Sequence, residues 1–495
     1  MVSLESQNAA MGFYFYPRGG SAQVARYLSR ALVGTRWEPT VLSGSLGSER
    51  EPSHAGKFFS TLRCESLDYS PAVQSWAAGA DPMAAAVPMH ASYEDKPGVP
   101  DRAFARLDAT AFRLQVRSWK LFLGERLSTV PSVVHLHHLT PIHEAAHQLW
   151  PHVPVVTHLH GTELKMLAAH GRAPSSCDWP NRMRRWAQRS ARVVTVSAMD
   201  HQLAIDLLGV PAQRVVTIAN GVDTEVFAPR TLTLAERLAC WQRWLVADPR
   251  GWRPGEGEGS VRYTADDMSA FVDAAGCAVP VVLYAGRFLR FKRLQLLIEA
   301  HHTLRRDAGS AAVLVIVGGY PGEWEGEHPY DTVQRLGAEG VFFVGWRDHA
   351  DLAEALTCSD VFAAPSVDEP FGLVYLEAMA AGVPPIATNT GGPCAFINVD
   401  PSRPTGWMVP PDDVAAITRA LAEAVSEPLT RAVRGRRAEK FVRERYSWAA
   451  TADEFAQLYC AVVAEPHSSG RARLGRPTSG VAYDRISPCP SFGSR

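Results

Sequence analysis

The sequence lacks the features that would send it to an oxidising compartment, a bilayer or a polyanion. Its eight cysteines among 495 residues (Cys64, Cys177, Cys240, Cys277, Cys358, Cys394, Cys460 and Cys489) include no close pair and no metal-type spacing. Neither a disulfide framework nor a zinc module is expected from them, and reduced thiols in a cytoplasmic protein are. No run approaches the ~18 apolar residues of a membrane span. The first seven residues lack the basic and apolar regions of a signal peptide. Peripheral membrane contact stays open. Fifty Lys and Arg stand against 51 Asp and Glu, a net charge of −1, so there is no global pull on nucleic acid. A charged ligand must be met by local groups.

What the sequence does have is length for two to four domains and a repeated alternation of short β-branched runs with helical periodicity. This predicts parallel α/β architecture. A first strand is expected over 12–16, then Pro17-Arg18-Gly19-Gly20 and a helix over 21–32. Further strands are expected at 133–136, 153–158, 193–196 and 215–218. After an insertion-like stretch, a second series follows with strands at 281–285, 312–317, 341–344 and 361–364 and helices at 294–305, 351–356 and 373–381. The expected organisation is two Rossmann-like domains facing one cleft, with ligands at the carboxyl ends of the strands. The first covers 1–225, a linker or insertion 226–280, and the second 281–439; a helix over 440–463 completes the first domain. Gly-rich 249–260 reads as a mobile loop, and the Ser-, Gly-, Pro- and Arg-rich end, 464–495, as a disordered tail.

The most informative segment runs from Pro365 to Gly382, Pro-Ser-Val-Asp-Glu-Pro-Phe-Gly-Leu-Val-Tyr-Leu-Glu-Ala-Met-Ala-Ala-Gly. A strand ends before it, Pro370 is placed to begin a helix, and Gly382 with Pro384 stops that helix. Free amides at Phe371, Gly372 and Leu373 suit a phosphate. Glu369 and Glu377 lie eight positions apart and could bracket a nucleoside diphosphate from its two ends. From spacing alone, a surface carboxylate beside a helix cap plus one buried glutamate reads equally well.

The string resembles the donor-site motif of retaining glycosyltransferases with the GT-B fold, in the large family 4, the glycosyl transferases group 1. Tyr284-Ala285-Gly286-Arg287-Phe288 with Phe291-Lys292-Arg293 resembles the same family's strand, glycine, arginine and lysine motif. The resemblance implies that Arg287 and Lys292 hold the donor diphosphate. Fixed cations can stabilise the charge of a departing diphosphate without a metal. It further implies that Glu369 positions the sugar, that Glu377 binds the ribose, and that the glycine loop brings Gly20 to the phosphates. His160, in His158-Leu159-His160-Gly161-Thr162-Glu163, would contact the sugar. Backbone around Trp346 and Arg347 would lie near the nucleobase. At Thr390-Gly391-Gly392-Pro393 the match also holds, but Ala395 stands where the family often has Glu. Ser447 would cap the C-terminal helix.

Around 60–106 and 230–278 no family pattern is found. Tyr93, Glu94, Asp95 and His138 are candidates for the acceptor pocket. His135, His137 and His138 invite a zinc reading, which is set aside because alternating strand positions point to opposite faces and no acidic or thiol partner is evident. The implied function is metal-independent, retaining transfer of a sugar from a nucleoside diphosphate sugar to a small-molecule or glycolipid acceptor, with no cofactor and with UDP-sugars favoured over GDP-sugars. A nucleotide-sugar epimerase or hydrolase, or a silent sugar-nucleotide-binding protein, is the alternative. A dehydrogenase is disfavoured because the first βα turn lacks the full dinucleotide glycine spacing. The Ala, Arg, Gly and Pro bias suggests a bacterial source.

Overall fold

The computed structural model describes residues 6–17, 19–93, 98–172 and 175–465. The expected acceptor residues Glu94 and Asp95, and the tail from residue 466 on, lie outside the described residues. The strands in chain order are β1 (Gln7–Phe13), β2 (Trp37–Ser45), β3 (Arg63–Asp68), β4 (Ala91–Ser92), β5 (Arg102–Ala103), β6 (Val133–His137), β7 (Val155–His158), β8 (Arg192–Thr195) and β9 (Val215–Thr217), followed by β10 (Val281–Ala285), β11 (Val313–Val317), β12 (Val341–Gly345), β13 (Val361–Ala364), β14 (Pro385–Thr388) and β15 (Trp407–Val409).

Two parallel sheets form, ordered β3-β2-β1-β6-β7-β8-β9 and β12-β11-β10-β13-β14-β15, with β4 and β5 as a separate short pair. Both orders run outward from a central strand in one direction and then reverse. The reversal lies between β1 and β6 in the first sheet and between β10 and β13 in the second. Chain leaving the carboxyl ends of those neighbours diverges and opens a crevice, which is where ligands of such sheets bind. The expected site residues therefore follow β1, β6 and β7 on one side and β10 and β13 on the other.

Burial explains the strand sequences. All five residues of β10, β11 and β12 are buried, as a sheet covered by helices on both faces requires. The first domain is closed by the C-terminal helix Trp448–Ala464, whose Phe455, Tyr459 and Val462 pack with Met11, Leu28, Trp37 and Val156. Ser447 caps this helix by accepting from the Ala450 amide at 3.3 Å. The helix is separate from Pro428–Arg445 before it, because residues 446 and 447 pair with Val222: the Val222 amide donates to the Tyr446 carbonyl at 2.7 Å.

The stretch after residue 229 is docked on the second domain. Its helix Leu234–Gln242 starts with a capping box between Thr233 and Glu236. Trp241, Trp244 and Trp252 are buried in the second domain's core. Trp252 sits within the expected mobile loop, yet it is 1% exposed and packs on Phe288, Trp324 and His328. An aromatic anchor of that size immobilises glycine-rich chain that composition alone reads as loose. Among the described residues, no helix is long and apolar enough to cross a membrane.

Candidate active site

On the second-domain side, β10 ends at Ala285 and the chain turns through Gly286 and Arg287 to a short turn, Arg290–Lys292. Lys292 Nζ reaches Glu369 Oε2 at 2.5 Å, both side chains largely buried. Glu369 stands after β13, five positions beyond its last residue, so the pair joins the two strands flanking the crevice. Arg287 is half-exposed beside Glu323, at 3.7 Å.

The helix expected over 373–381 spans Leu373–Ala380, with Gly372 as its cap at φ 91°, so Pro370 precedes the helix and does not begin it. Pro370 lies before the cap because Gly372 adopts a left-handed backbone and turns the chain into the helix; a Cβ on Gly372 would sit 2.6 Å from the Tyr375 ring. The first-turn amides at Leu373 and Val374 have no helical acceptor and are available to an anion. Gly20 approaches Leu373 from the first domain: a Cβ there would lie 3.8 Å from Leu373 Cδ1. Phe371 is a core residue, its ring against Phe396. The Thr390-Gly391-Gly392 segment supports the Glu369 loop from behind. The Gly392 amide donates to the Glu369 carbonyl at 2.7 Å.

Glu377 lies four positions into the helix, about 6 Å from its start at 1.5 Å per residue. It is 6% exposed, and its Oε1 accepts from His349 Nε2 at 2.7 Å. His349 in turn meets Tyr27 of the first-domain helix Gly19–Leu32 at 3.0 Å. Neither His349 nor Tyr27 carries a signal in the sequence, since they meet only through the fold.

The first domain contributes His138, His160 and the helix Thr162–His170. Glu163 is fully buried; it accepts from His138 Nδ1 and from the His160 amide, each at 3.1 Å. Lys165, on the same helix, places Nζ 3.9 Å from the centre of the Phe291 ring across the cleft. Burial lowers its pKa, and Lys292 adds to this while Glu369 opposes it. Gly161, the cap of this helix, faces Pro370: a Cβ would meet Pro370 Cβ at 2.6 Å. The cleft thus gathers Glu369, Lys292, Glu163, Lys165 and Asp200.

The histidines are arranged differently from expectation. His135 and His137 are two apart on β6 and share one face; β7 adds His158, in register with His137, and His160 follows. The four imidazoles form a cluster: the centroids of His135 and His137 are 4.7 Å apart with ring planes 16° apart, His158 lies 5.3 and 5.2 Å from them, and His160 lies 4.5 Å from His158. The reason given for setting zinc aside is therefore corrected: His135, His137 and His158 do group together, with donor nitrogens within 4.8 Å of one another. A tetrahedral zinc needs nitrogens about 3.4 Å apart, given bonds of about 2.0–2.1 Å. Lone pairs lie in the ring plane, so the nearly parallel rings of His135 and His137 do not aim theirs at one point, and His158 is tilted by 36° and 33° to them. Burial pushes His135 down to about 3 and His137, His158 and His160 well below the usual histidine range, each of those three also repelled by its neighbours. His160 is therefore neutral near pH 7. It meets His137 Nδ1 through Nε2 at 3.0 Å, and can face a sugar hydroxyl as a neutral hydrogen-bonding group.

Trp346 is exposed at the end of β12 beside Tyr320, ring centres 5.4 Å apart. Arg347 points elsewhere: its buried guanidinium binds Asp248 at 2.6 Å and the Trp244 carbonyl at 3.3 Å, which leaves its backbone as the part that can serve a ligand. Tyr93 donates to the Leu139 carbonyl at 2.8 Å and its ring contacts His138.

Asp200 is a site residue the sequence did not mark. It is 1% exposed, and burial, with Glu163 adding to it, raises its carboxyl to about 7. A raised carboxyl stabilises the fold fully below its unfolded value of 3.8, and that contribution is lost as pH rises to about 7, because folding must then take up a proton. The wild type should lose stability relative to Asp200→Asn by about 1.4 kcal/mol per pH unit across that window. Urea unfolding at pH 4.5, 6 and 7.5 measures this; parallel curves for the two proteins would show that Asp200 ionises freely.

Residues 278–441 match the family model described as glycosyl transferases group 1, and residues 18–226 match glycosyltransferase family 4. The D-inositol 3-phosphate glycosyltransferase of Corynebacterium glutamicum is 34% identical over 199 residues, covering 39% of this chain and 46% of that protein. This chain therefore matches less than half the length of that relative. The glycogen synthase of Mycobacterium tuberculosis is 28% identical over 343 residues, 68% of this chain and 71% of that one. In structure, the sucrose-phosphate synthase of Thermosynechococcus elongatus aligns with a TM-score of 0.64 at 21% identity, over 92% of this chain and 99% of its own. Anabaena HepE in complex with UDP and glucose aligns at 0.61 and 16%, over 92% and 100%. At these identities the structural likeness establishes the fold.

Proposed function

Because this chain belongs to the glycosyl transferases group 1 family and has its GT-B fold, we propose that it moves a sugar from a nucleoside diphosphate sugar to a small-molecule or glycolipid acceptor, with retention and without a metal. The observation that carries this reading is that Lys292 with Glu369 and Glu377 with His349 flank one helix start. A diphosphate laid on the Leu373 and Val374 amides has the Lys292 ammonium and Arg287 at its sugar end and Glu377 within reach of its ribose.

The acceptor hydroxyl attacks the anomeric carbon from the face that the diphosphate leaves. The bond from that carbon to the phosphate oxygen breaks, the bond to the acceptor oxygen forms, and the acceptor's proton passes to the departing phosphate oxygen. Lys292, Arg287 and the helix amides stabilise the charge that develops there, and they are already in place before it forms. Glu369 and neutral His160 orient the sugar between the domains. A uridine diphosphate sugar is the favoured donor, the class with which HepE was solved.

A thermal-shift screen of UDP-, GDP- and ADP-sugars tests the donor class, since a ligand that binds only the native state raises its apparent stability. One base series should raise the melting midpoint in a dose-dependent way. No shift with any of the three would overturn the nucleotide-sugar reading.

A further inference from the structure

We propose that His349 is a positioning residue that presents Glu377 to the donor ribose and, through Tyr27, makes that presentation depend on the apposition of the two domains. This rests on the reading of Glu377 as the ribose-binding carboxylate. The direction of each hydrogen bond follows from the groups themselves. An ionised carboxylate only accepts, so His349 Nε2 carries the proton in its 2.7 Å contact with Glu377 Oε1. In the neutral tautomer with that proton on Nε2, Nδ1 is an acceptor and the Tyr27 hydroxyl donates to it across 3.0 Å. The Tyr27 oxygen accepts from the Arg26 guanidinium at 3.3 Å. In that tautomer the chain Arg26, Tyr27, His349, Glu377 runs one way.

Three parts of the fold hold this chain in place. Asp348 caps the helix His349–Thr357, accepting from the amides of Ala350 and Asp351 at 2.9 Å each, so His349 sits on a fixed first turn. Phe227, on the segment leaving the first domain, packs edge-on against the imidazole with centroids 4.8 Å apart. Trp448, the first residue of the C-terminal helix, stacks on Tyr27 at 5.7 Å with ring planes 9° apart. The imidazole is thus held between Tyr27 of the first domain and Phe227 of the connecting segment, with the crossing helix packed on Tyr27, while its Nε2 faces the second domain's carboxylate. Burial raises the Tyr27 pKa and keeps its hydroxyl a donor. With Oε1 engaged, Glu377 Oε2 is the oxygen that remains for a ribose hydroxyl. Separating the domains withdraws Tyr27, frees His349 to turn, and releases the carboxylate from the orientation in which Oε2 serves the ribose.

The test compares UDP, GDP and ADP with their 2′-deoxy analogues by calorimetric titration, using the pair whose ribose form binds the wild-type full-length protein tightest. The wild type is expected to prefer the ribose form by about tenfold, the worth of one hydrogen bond to a charged group. His349→Ala should reduce this to twofold or less by weakening the ribose form alone, with the deoxy form bound as before. That unchanged affinity also shows that the variant is folded. His349→Gln, which restores an N–H donor, should recover most of the preference, and Tyr27→Phe, which removes one oxygen, should lower it partway. Wild-type discrimination in both His349→Ala and Tyr27→Phe would overturn the proposal. Binding without discrimination in the wild type would overturn the ribose role of Glu377 and this inference with it, whereas no binding of any nucleotide would overturn the donor reading itself.

Discussion

Lys292→Ala is expected to lower kcat/KM by about 10²- to 10³-fold, or about 2.7–4 kcal/mol of transition-state stabilisation, while the far-ultraviolet circular dichroism stays native. The ammonium lies at the junction of the two strands flanking the crevice, where in the proposed reaction the charge of the departing diphosphate gathers. Its loss has a second effect, because Glu369 is left in a largely buried pocket without its cation. The melting midpoint should therefore fall as well. Lys292→Ala combined with Glu369→Gln separates the two effects: it should regain stability, since no uncompensated charge remains, and stay inactive. Steady-state kinetics with calorimetry on the two variants checks this. Turnover within a few-fold of wild type in Lys292→Ala would remove Lys292 from the diphosphate clamp.

Gly161→Ala is expected to cost about 10²-fold in kcat/KM for a different reason. Gly161 has φ 87°, so any side chain adds about 1–2 kcal/mol of backbone strain. More important is the neighbour across the cleft. A Cβ 2.6 Å from Pro370 Cβ is about 1 Å inside ordinary carbon contact. Helix Thr162–His170 and the Glu369 loop must then separate by about that much, and an ångström of misplacement costs about two orders of magnitude in a positioned reaction. Adding Pro370→Gly removes the opposing carbons and should restore much of the rate. Nucleotide binding to the second domain should weaken by no more than the ribose preference that depends on Tyr27, and Pro370→Gly should recover it. A Gly161→Ala enzyme with full activity would show that the two domains need not approach this closely.

Much of the architecture was legible because buried parallel strands leave unbroken β-branched runs: 281–285 and 361–364 coincide with β10 and β13. Arg287, Lys292 and Glu369 were legible as candidates because they lie in short motifs after those strands. Strands β2 and β3 escaped, for Pro39, Ser43, Gly44 and Ser45 interrupt the apolar run in one, and Arg63, Glu65 and Asp68 do so in the other. The helix over 373–381 was legible too, but not its cap: Pro370 offered itself as a start, and Gly372 takes that place through a left-handed conformation that sequence patterns do not reveal. The shared face of His135 and His137 follows from a strand period of two, and was missed by grouping them with His138, whose φ of 63° turns it off the strand. His349 and Tyr27 were invisible for a stronger reason: they are 322 positions apart and meet only when both domains are built.

The most direct test of the account is a crystal structure of the protein with the nucleoside diphosphate that stabilises it most. Phosphate oxygens are expected within about 3 Å of Lys292 Nζ and of the Leu373 and Val374 amides, with the ribose hydroxyls on Glu377. A nucleotide bound away from the Leu373–Ala380 helix start, or one whose ribose faces Glu369 and whose phosphates leave Lys292 untouched, would contradict it.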